Sequence, residues 1–159
     1  MTHASAEDLY AVIRHVRPLF RHLYAAVEQA LRDLGYSVPE RGVLERLHDG
    51  GPQTVPQIAR TLLVQRQFVQ RVVNDLLIRG LVERRTNPAS RKSWLIALTP
   101  AGEEAFAEIR RRENAVSAPI AAALPAAEVA TCERVLAHMT LEFGRLVQSG
   151  AASDEGDTT

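Results

Sequence analysis

What most constrains this chain is a run of helix punctuation between Ser37 and Pro100. Ser37-Val38-Pro39-Glu40 has the Ser-x-x-Glu form of a capping box and opens a helix of about 38–49, which Gly50-Gly51 closes. Thr54-Val55-Pro56-Gln57 repeats the signal and opens a short helix to about Leu62. A third helix is expected over about 66–79, because Val69, Val72, Val73 and Leu76 recur at i, i+3, i+4 and i+7, and Gly80 suits its C′ position. Residues 81–85 read as a short strand, 86–92 as a turn-rich tip, and 93–98 as the returning strand with Trp94, Ile96 and Leu98 on one face. Thr99-Pro100 then supplies an N-cap with proline at the first helical position.

Longer helices flank this block. From 6 to 34, apolar residues from Leu9 through Leu34 fall three and four apart, with Ser5 as N-cap, Asp8 three residues on, and Pro18 expected to kink or briefly break the helix. Twenty-nine residues of helix measure about 43 Å, too long for one small domain to wrap; the apolar stripe is expected to meet another subunit. Beyond Pro100, Glu103 and Glu104 suit the positive end of a helix running toward Ala123, bent at Pro119. Leu124-Pro125 starts a last helix with Val129, Val135, Leu136, Met139, Phe143, Leu146 and Val147 on its apolar side. The expected fold is mainly α with a small β-hairpin: a winged helix-turn-helix lobe over 37–99, a helical dimerisation region from 6–34 and 100–148, and a disordered acidic tail at 149–159.

Nineteen Lys and Arg balance nineteen Asp and Glu in a chain of 159 residues, which at first argues against nucleic acid. The balance is local in origin. Residues 60–92 hold eight basic residues against two acidic ones, a net +6, so everything else carries −6. The positive part coincides with the third helix and the hairpin, the electrostatic footprint of a phosphate-binding face. One cysteine excludes an intrachain disulfide framework and a Cys-only zinc site. No apolar run approaches the roughly 18–20 residues of a membrane span, and the first residues lack a secretory pattern, so a cytoplasmic protein with no membrane partner is expected.

With its four apolar residues turned inward, the third helix presents Arg66, Gln67, Gln70, Arg71 and Asn74 outward. Arg can pair bidentately with guanine, and Gln or Asn with adenine, so this face is chemically suited to base edges in double-stranded DNA. The same residues could also do no more than solvate a surface helix. At the hairpin tip Arg91 and Lys92 are placed to reach a neighbouring minor groove, with Arg91 favoured as the inserted residue. Arg84 and Arg85 alternate faces, so at most one meets phosphate; Arg85 is the candidate. His15 and His22 lie seven apart without a carboxylate or Cys partner nearby, a weak metal pattern, and no metal or other cofactor is expected. No Walker loop, dinucleotide glycine pattern, His-Glu-x-x-His or nucleophile elbow is present, so no catalytic residues are assigned.

Gly51-Pro52-Gln53-Thr54-Val55-Pro56-Gln57-Ile58-Ala59, Arg71-Val72-Val73-Asn74-Asp75-Leu76, Arg79-Gly80-Leu81-Val82-Glu83-Arg84-Arg85, Asn87-Pro88-Ala89-Ser90-Arg91-Lys92 and Leu98-Thr99-Pro100-Ala101-Gly102 together resemble the MarR family of transcriptional regulators. The resemblance is dense over about 38–105 and one of pattern outside it. It implies a homodimer whose terminal helices interlock and whose two lobes read a palindromic operator, most often as a repressor. It also implies a small aromatic or phenolic effector that releases the DNA; the family's usual pocket lies near the first helix, which makes Arg14 and His15 the effector-binding candidates for an anionic aromatic. Cys132 lies in the last helix, unlike the N-terminal peroxide-sensing cysteine of some members, and is read as structural. Three positions depart from the family pattern: Ser90 stands where an Asp usually precedes the wing Arg, Leu63 replaces a small turn residue, and Gln65 replaces a capping Ser. The alternative from another class is a winged-helix module used for protein association or small-molecule sequestration.

Overall fold

The structure, a computed structural model, describes residues 3–154, with side chains described as far as 147. Six helices and one hairpin follow in the order α1 (Ala6–Arg32), α2 (Val38–Gly50), α3 (Val55–Leu62), α4 (Arg66–Ile78), β1 (Val82–Arg85), β2 (Leu95–Leu98), α5 (Pro100–Ala121) and α6 (Ala126–Asp154). One compact unit ends at Val116 and a second begins at Ser117, the boundary falling within α5.

The capping signals produce the starts they imply. The Asp8 amide donates to Ser5 Oγ at 3.1 Å while the Ser5 amide donates to Asp8 Oδ2 at 2.8 Å. Ser37 and Glu40 make the same reciprocal pair at 3.3 and 2.8 Å. At α3 the Gln57 side chain accepts from both the amide and the hydroxyl of Thr54, at 2.8 Å each. Thr99 Oγ1 caps α5 by accepting from the Gly102 amide at 3.1 Å, and donates to the Gly80 carbonyl at 2.8 Å. That second bond ties the start of α5 to the end of α4, where Gly80 takes φ 68°, the left-handed conformation that closes a helix.

The core of the first unit gathers α2, α3, α4, the hairpin and the start of α5. Leu44, Ile58, Val69, Val73, Leu76 and Ile109 are buried at its centre, so the inward face expected of α4 is the observed one. Leu31 closes the core from α1, whereas the stretch from Leu9 to Tyr24 leaves most of its large apolar side chains exposed. In the second unit, the α6 side chains Val129, Val135, Leu136, Phe143, Leu146 and Val147 are likewise exposed.

Several expectations need correction. α1 runs through Pro18 as one helix from Ala6 to Arg32, so the brief break is absent; proline costs the ladder one amide donor without ending the helix. Strand β2 begins at Leu95, opposite Arg85, so Trp94 precedes it and is 56% exposed instead of sharing the buried face of Ile96. Ala97, on the opposite face by alternation, is buried as well. The hairpin also has a third participant: Gln53 forms an isolated antiparallel bridge with Ile96, each amide donating to the other's carbonyl at 3.0 and 2.8 Å. Finally, α6 continues through Asp154, past the expected start of a disordered tail at 149, and the rest of that tail lies outside the described residues.

Candidate nucleic-acid interface

Every outward residue expected on α4 is on one arc. At about 100° per residue, Arg66, Gln70, Asn74, Gln67 and Arg71 occupy some 140° of the helix surface, opposite Val69, Val72, Val73 and Leu76. Gln70 Nε2 donates to Asn74 Oδ1 at 3.0 Å, which fixes the two amides relative to each other and leaves further donor and acceptor capacity outward. The Arg71 guanidinium lies 5.9 Å from the centre of the Phe68 ring, on the flank that faces the start of α2. No carboxylate interrupts the arc.

Beside it, the N-terminus of α3, the first turn of α4 and the hairpin enclose a groove of about 210 Å³. Arg66 and Gln70 form one wall, Arg84 comes from β1, and Lys92, Ser93 and Trp94 come from the returning limb of the hairpin. Arg85, on the alternate face of β1, instead pairs with Glu83 at 2.7 Å. Arg84, and not the expected Arg85, is therefore the hairpin arginine that lines this groove with Arg66 and Lys92. Arg79, counted in the local +6, also points elsewhere: it pairs with Glu40 at 2.8 Å, bonds the Gly35 carbonyl at 3.2 Å, and stacks 4.3 Å from the Tyr36 ring. Arg66, Arg71, Arg84, Arg91 and Lys92 form no ion pair among the described residues.

The hairpin tip organises itself without the family's carboxylate. Asn87 Oδ1 accepts from the Ala89 amide at 3.0 Å and Asn87 Nδ2 donates to Ser93 Oγ at 2.8 Å, closing the loop across its base. Ser90 Oγ accepts from the Lys92 amide at 3.3 Å, so this hydroxyl orders the backbone under Arg91 rather than holding the guanidinium. Arg91 and Lys92 are both exposed.

Two polar sites missed by sequence reasoning brace the first unit. Gln53, with a buried side chain, accepts from Arg46 Nε at 3.0 Å and donates to the Arg46 carbonyl at 3.1 Å, which pins the link between α2 and α3. Glu113 of α5, only 7% exposed, takes a two-pronged contact from Arg41 of α2 at 2.6 and 3.0 Å and a third bond from Arg110 at 2.9 Å; Arg41 also pairs with Glu45. Burial alone would raise the Glu113 carboxyl, but the bonds and charge of Arg41 and Arg110 hold it below the usual carboxylate range. The same pairing raises Arg41.

The effector candidates are not brought together in this way. Arg14 and His15 are exposed on α1 with no hydrogen bond or ion pair among the described residues, and as neighbours they diverge by about 100° around the helix. His48, not singled out beforehand, pairs with Glu103 at 2.8 Å and packs on Phe106.

A sequence model of the MarR family matches residues 34–93, the block from the α1–α2 turn to the wing. An uncharacterised protein of Mycobacterium tuberculosis is 49% identical over 79 residues, 49% of this chain and 55% of that protein. The chain thus spans about half the length of the curated relatives it matches there. The fold is also that of Bordetella bronchiseptica BpsR, whose structure is described as a mechanism for regulation of its DNA binding by 6-hydroxynicotinic acid; it is 22% identical, with a TM-score of 0.68 over 82% of this chain and 98% of that one. The crystal structure of the MarR family transcription regulator SP03579 superposes with a TM-score of 0.75 at 33% identity, over 89% of this chain and 94% of the other. A match of that extent takes in the long helices as well as the lobe, and this chain belongs to the MarR family of transcription regulators.

Proposed function

We propose that this chain is a cytoplasmic, sequence-specific DNA-binding repressor that works as a ligand-responsive homodimer. The observation that carries the reading is the uninterrupted Arg-Gln-Asn arc of α4, flanked by cations that form no ion pair among the described residues. Arg66, Gln67, Gln70, Arg71 and Asn74 would address base edges in a major groove. Arg91 and Lys92 would reach the adjacent minor groove, and Arg84, rather than Arg85, would meet the backbone. The family's members are transcription regulators, not enzymes.

Pairing is supported by the apolar side chains left open along α1 and, separately, along α6: an exposed apolar area of that extent marks an association surface. Two lobes related by a two-fold axis would read half-sites about one helical turn, roughly 34–36 Å, apart. Arg14 and His15 remain the proposed contacts for an anionic aromatic effector, a ligand class of which the Bordetella regulator's 6-hydroxynicotinic acid is an example.

The deciding experiment is a gel shift against the DNA upstream of the protein's own coding sequence at two salt concentrations. Retardation that weakens steeply with salt is expected, because each phosphate contact releases a counterion. Absence of any retardation would favour the winged-helix association module instead. Titration with aromatic carboxylates, followed by thermal stability, tests the effector arm, and no shift with any of them overturns it.

A further inference from the structure

The groove between α4 and the hairpin holds a feature that base reading does not explain. Trp94 is the chain's single tryptophan, and it stands 56% exposed at the root of the wing rather than in the core. Around it are three cations, Arg66, Arg84 and Lys92, with no acidic side chain in the lining. Three like charges converging on one concavity repel one another unless an anion sits among them. The N-terminus of α3 adds its own positive end at Val55. The volume, about 210 Å³, is below the range of roughly 300–1,000 Å³ typical of pockets for drug-sized ligands.

We infer that this groove seats one phosphate–deoxyribose unit of a double-stranded DNA backbone, and that Trp94 is the positioning residue that holds it there. The inference rests on the DNA-binding reading above and adds a residue to it. Arg84 and Lys92 supply the charge, while the indole lays an apolar face along the sugar and offers its N–H to a phosphate oxygen. Arg66 and Gln70 belong both to this groove and to the base-facing arc. A backbone unit clamped against Trp94 therefore fixes how α4 is registered along the major groove, which is the task of phosphate contacts.

Because Trp94 is the only tryptophan, its emission reports occupancy of the groove directly. The full chain is titrated with its own upstream duplex at two salt concentrations, with tryptophan emission and gel retardation recorded on the same samples, alongside Trp94→Ala, Trp94→Phe and Arg84→Ala. Emission is expected to change in step with retardation. Trp94→Ala should bind about tenfold more weakly with an unchanged melting temperature, Trp94→Phe should recover most of the loss, and Arg84→Ala should lower the salt slope by about one. Retardation of the wild type without an emission change, or Trp94→Ala binding as tightly as wild type, overturns the inference and leaves the DNA-binding reading intact. No retardation of the wild type at either salt overturns both.

Discussion

Leu63 holds a backbone conformation that few residues adopt willingly. In the turn between α3 and α4 it sits at φ 54°, ψ 40°, and its side chain is 90% exposed, so it gains almost nothing from packing. For an L-residue with a Cβ the left-handed region costs roughly 1–2 kcal/mol, which is the physical content of its departure from a small turn residue. Leu63→Gly is expected to raise the free energy of unfolding by about 1 kcal/mol in urea denaturation, since glycine removes the strain but adds unfolded-state entropy. Two positions on, Gln65 is the N-cap of α4 and makes no side-chain capping bond, as expected of glutamine there. Gly102 shows the opposite constraint: a Cβ at that position would lie 2.0 Å from the Leu81 carbonyl oxygen, so only glycine lets α5 start this close to the hairpin. On the reading surface, Arg71 and Arg91 are exposed and free of ion pairs among the described residues. Their alanine variants are each expected to weaken retardation of the operator about tenfold while melting as wild type does. Wild-type affinity in both would show that α4 and the wing tip do not face DNA.

At the scale of elements, α2 and α5 are joined by an ion-paired cluster as well as by the apolar core to which Phe106 and Ile109 contribute. Glu113 is depressed in the folded chain relative to its ordinary value of about 4.5, so the unfolded chain binds more protons as the pH falls. The stability this gives is fully present at neutral pH, starts to fade below the ordinary value, and is lost as pH falls through the lower folded one. Denaturation at pH 7, 5 and 3 should show that acid limb, and Glu113→Gln should flatten it while costing roughly 1–3 kcal/mol at pH 7, because Arg41 would keep only the more exposed Glu45 as its anion. An unaltered acid limb in Glu113→Gln would assign it to other carboxylates, Glu40 among them. The link that joins the two helices is not visible in a linear reading, since Arg41 and Glu113 are 72 positions apart. What could be read was local: Ser5 with Asp8, Ser37 with Glu40, Thr54 with Gln57 and the valine spacing of α4 each act within one or two turns, and those elements lie where their signals fall. Trp94 was misplaced because alternation holds only inside a paired strand, and pairing starts one residue later. Arg85 was preferred to Arg84 with only alternation to go on; its ion pair with Glu83, two residues away on the same face of the strand, is formed in the folded hairpin and does not show in the residue pattern.

The whole molecule combines an electrically neutral total with two differently charged parts, and leaves its long helices with open apolar faces. If those faces are covered by a second copy, folding and association are linked, and the melting temperature must rise with protein concentration. A hundredfold concentration series followed by circular dichroism, with sedimentation velocity on the same samples, is expected to show one dimeric species and an upward drift in Tm. A monomer with a concentration-independent Tm would remove the homodimer from the proposed function. The reciprocal bonds of Gln53 with Ile96 bear on what such a dimer could do. They tie the wing to the entry of α3, and Thr99 ties the start of α5 to the end of α4, so the hairpin is held to the lobe at both of its ends. An effector of the proposed kind would then find little purchase inside a lobe tied together in this way. It would switch the protein by changing the distance or tilt between two rigid heads, in the way that calipers lose their grip when the legs are reset and the points are untouched.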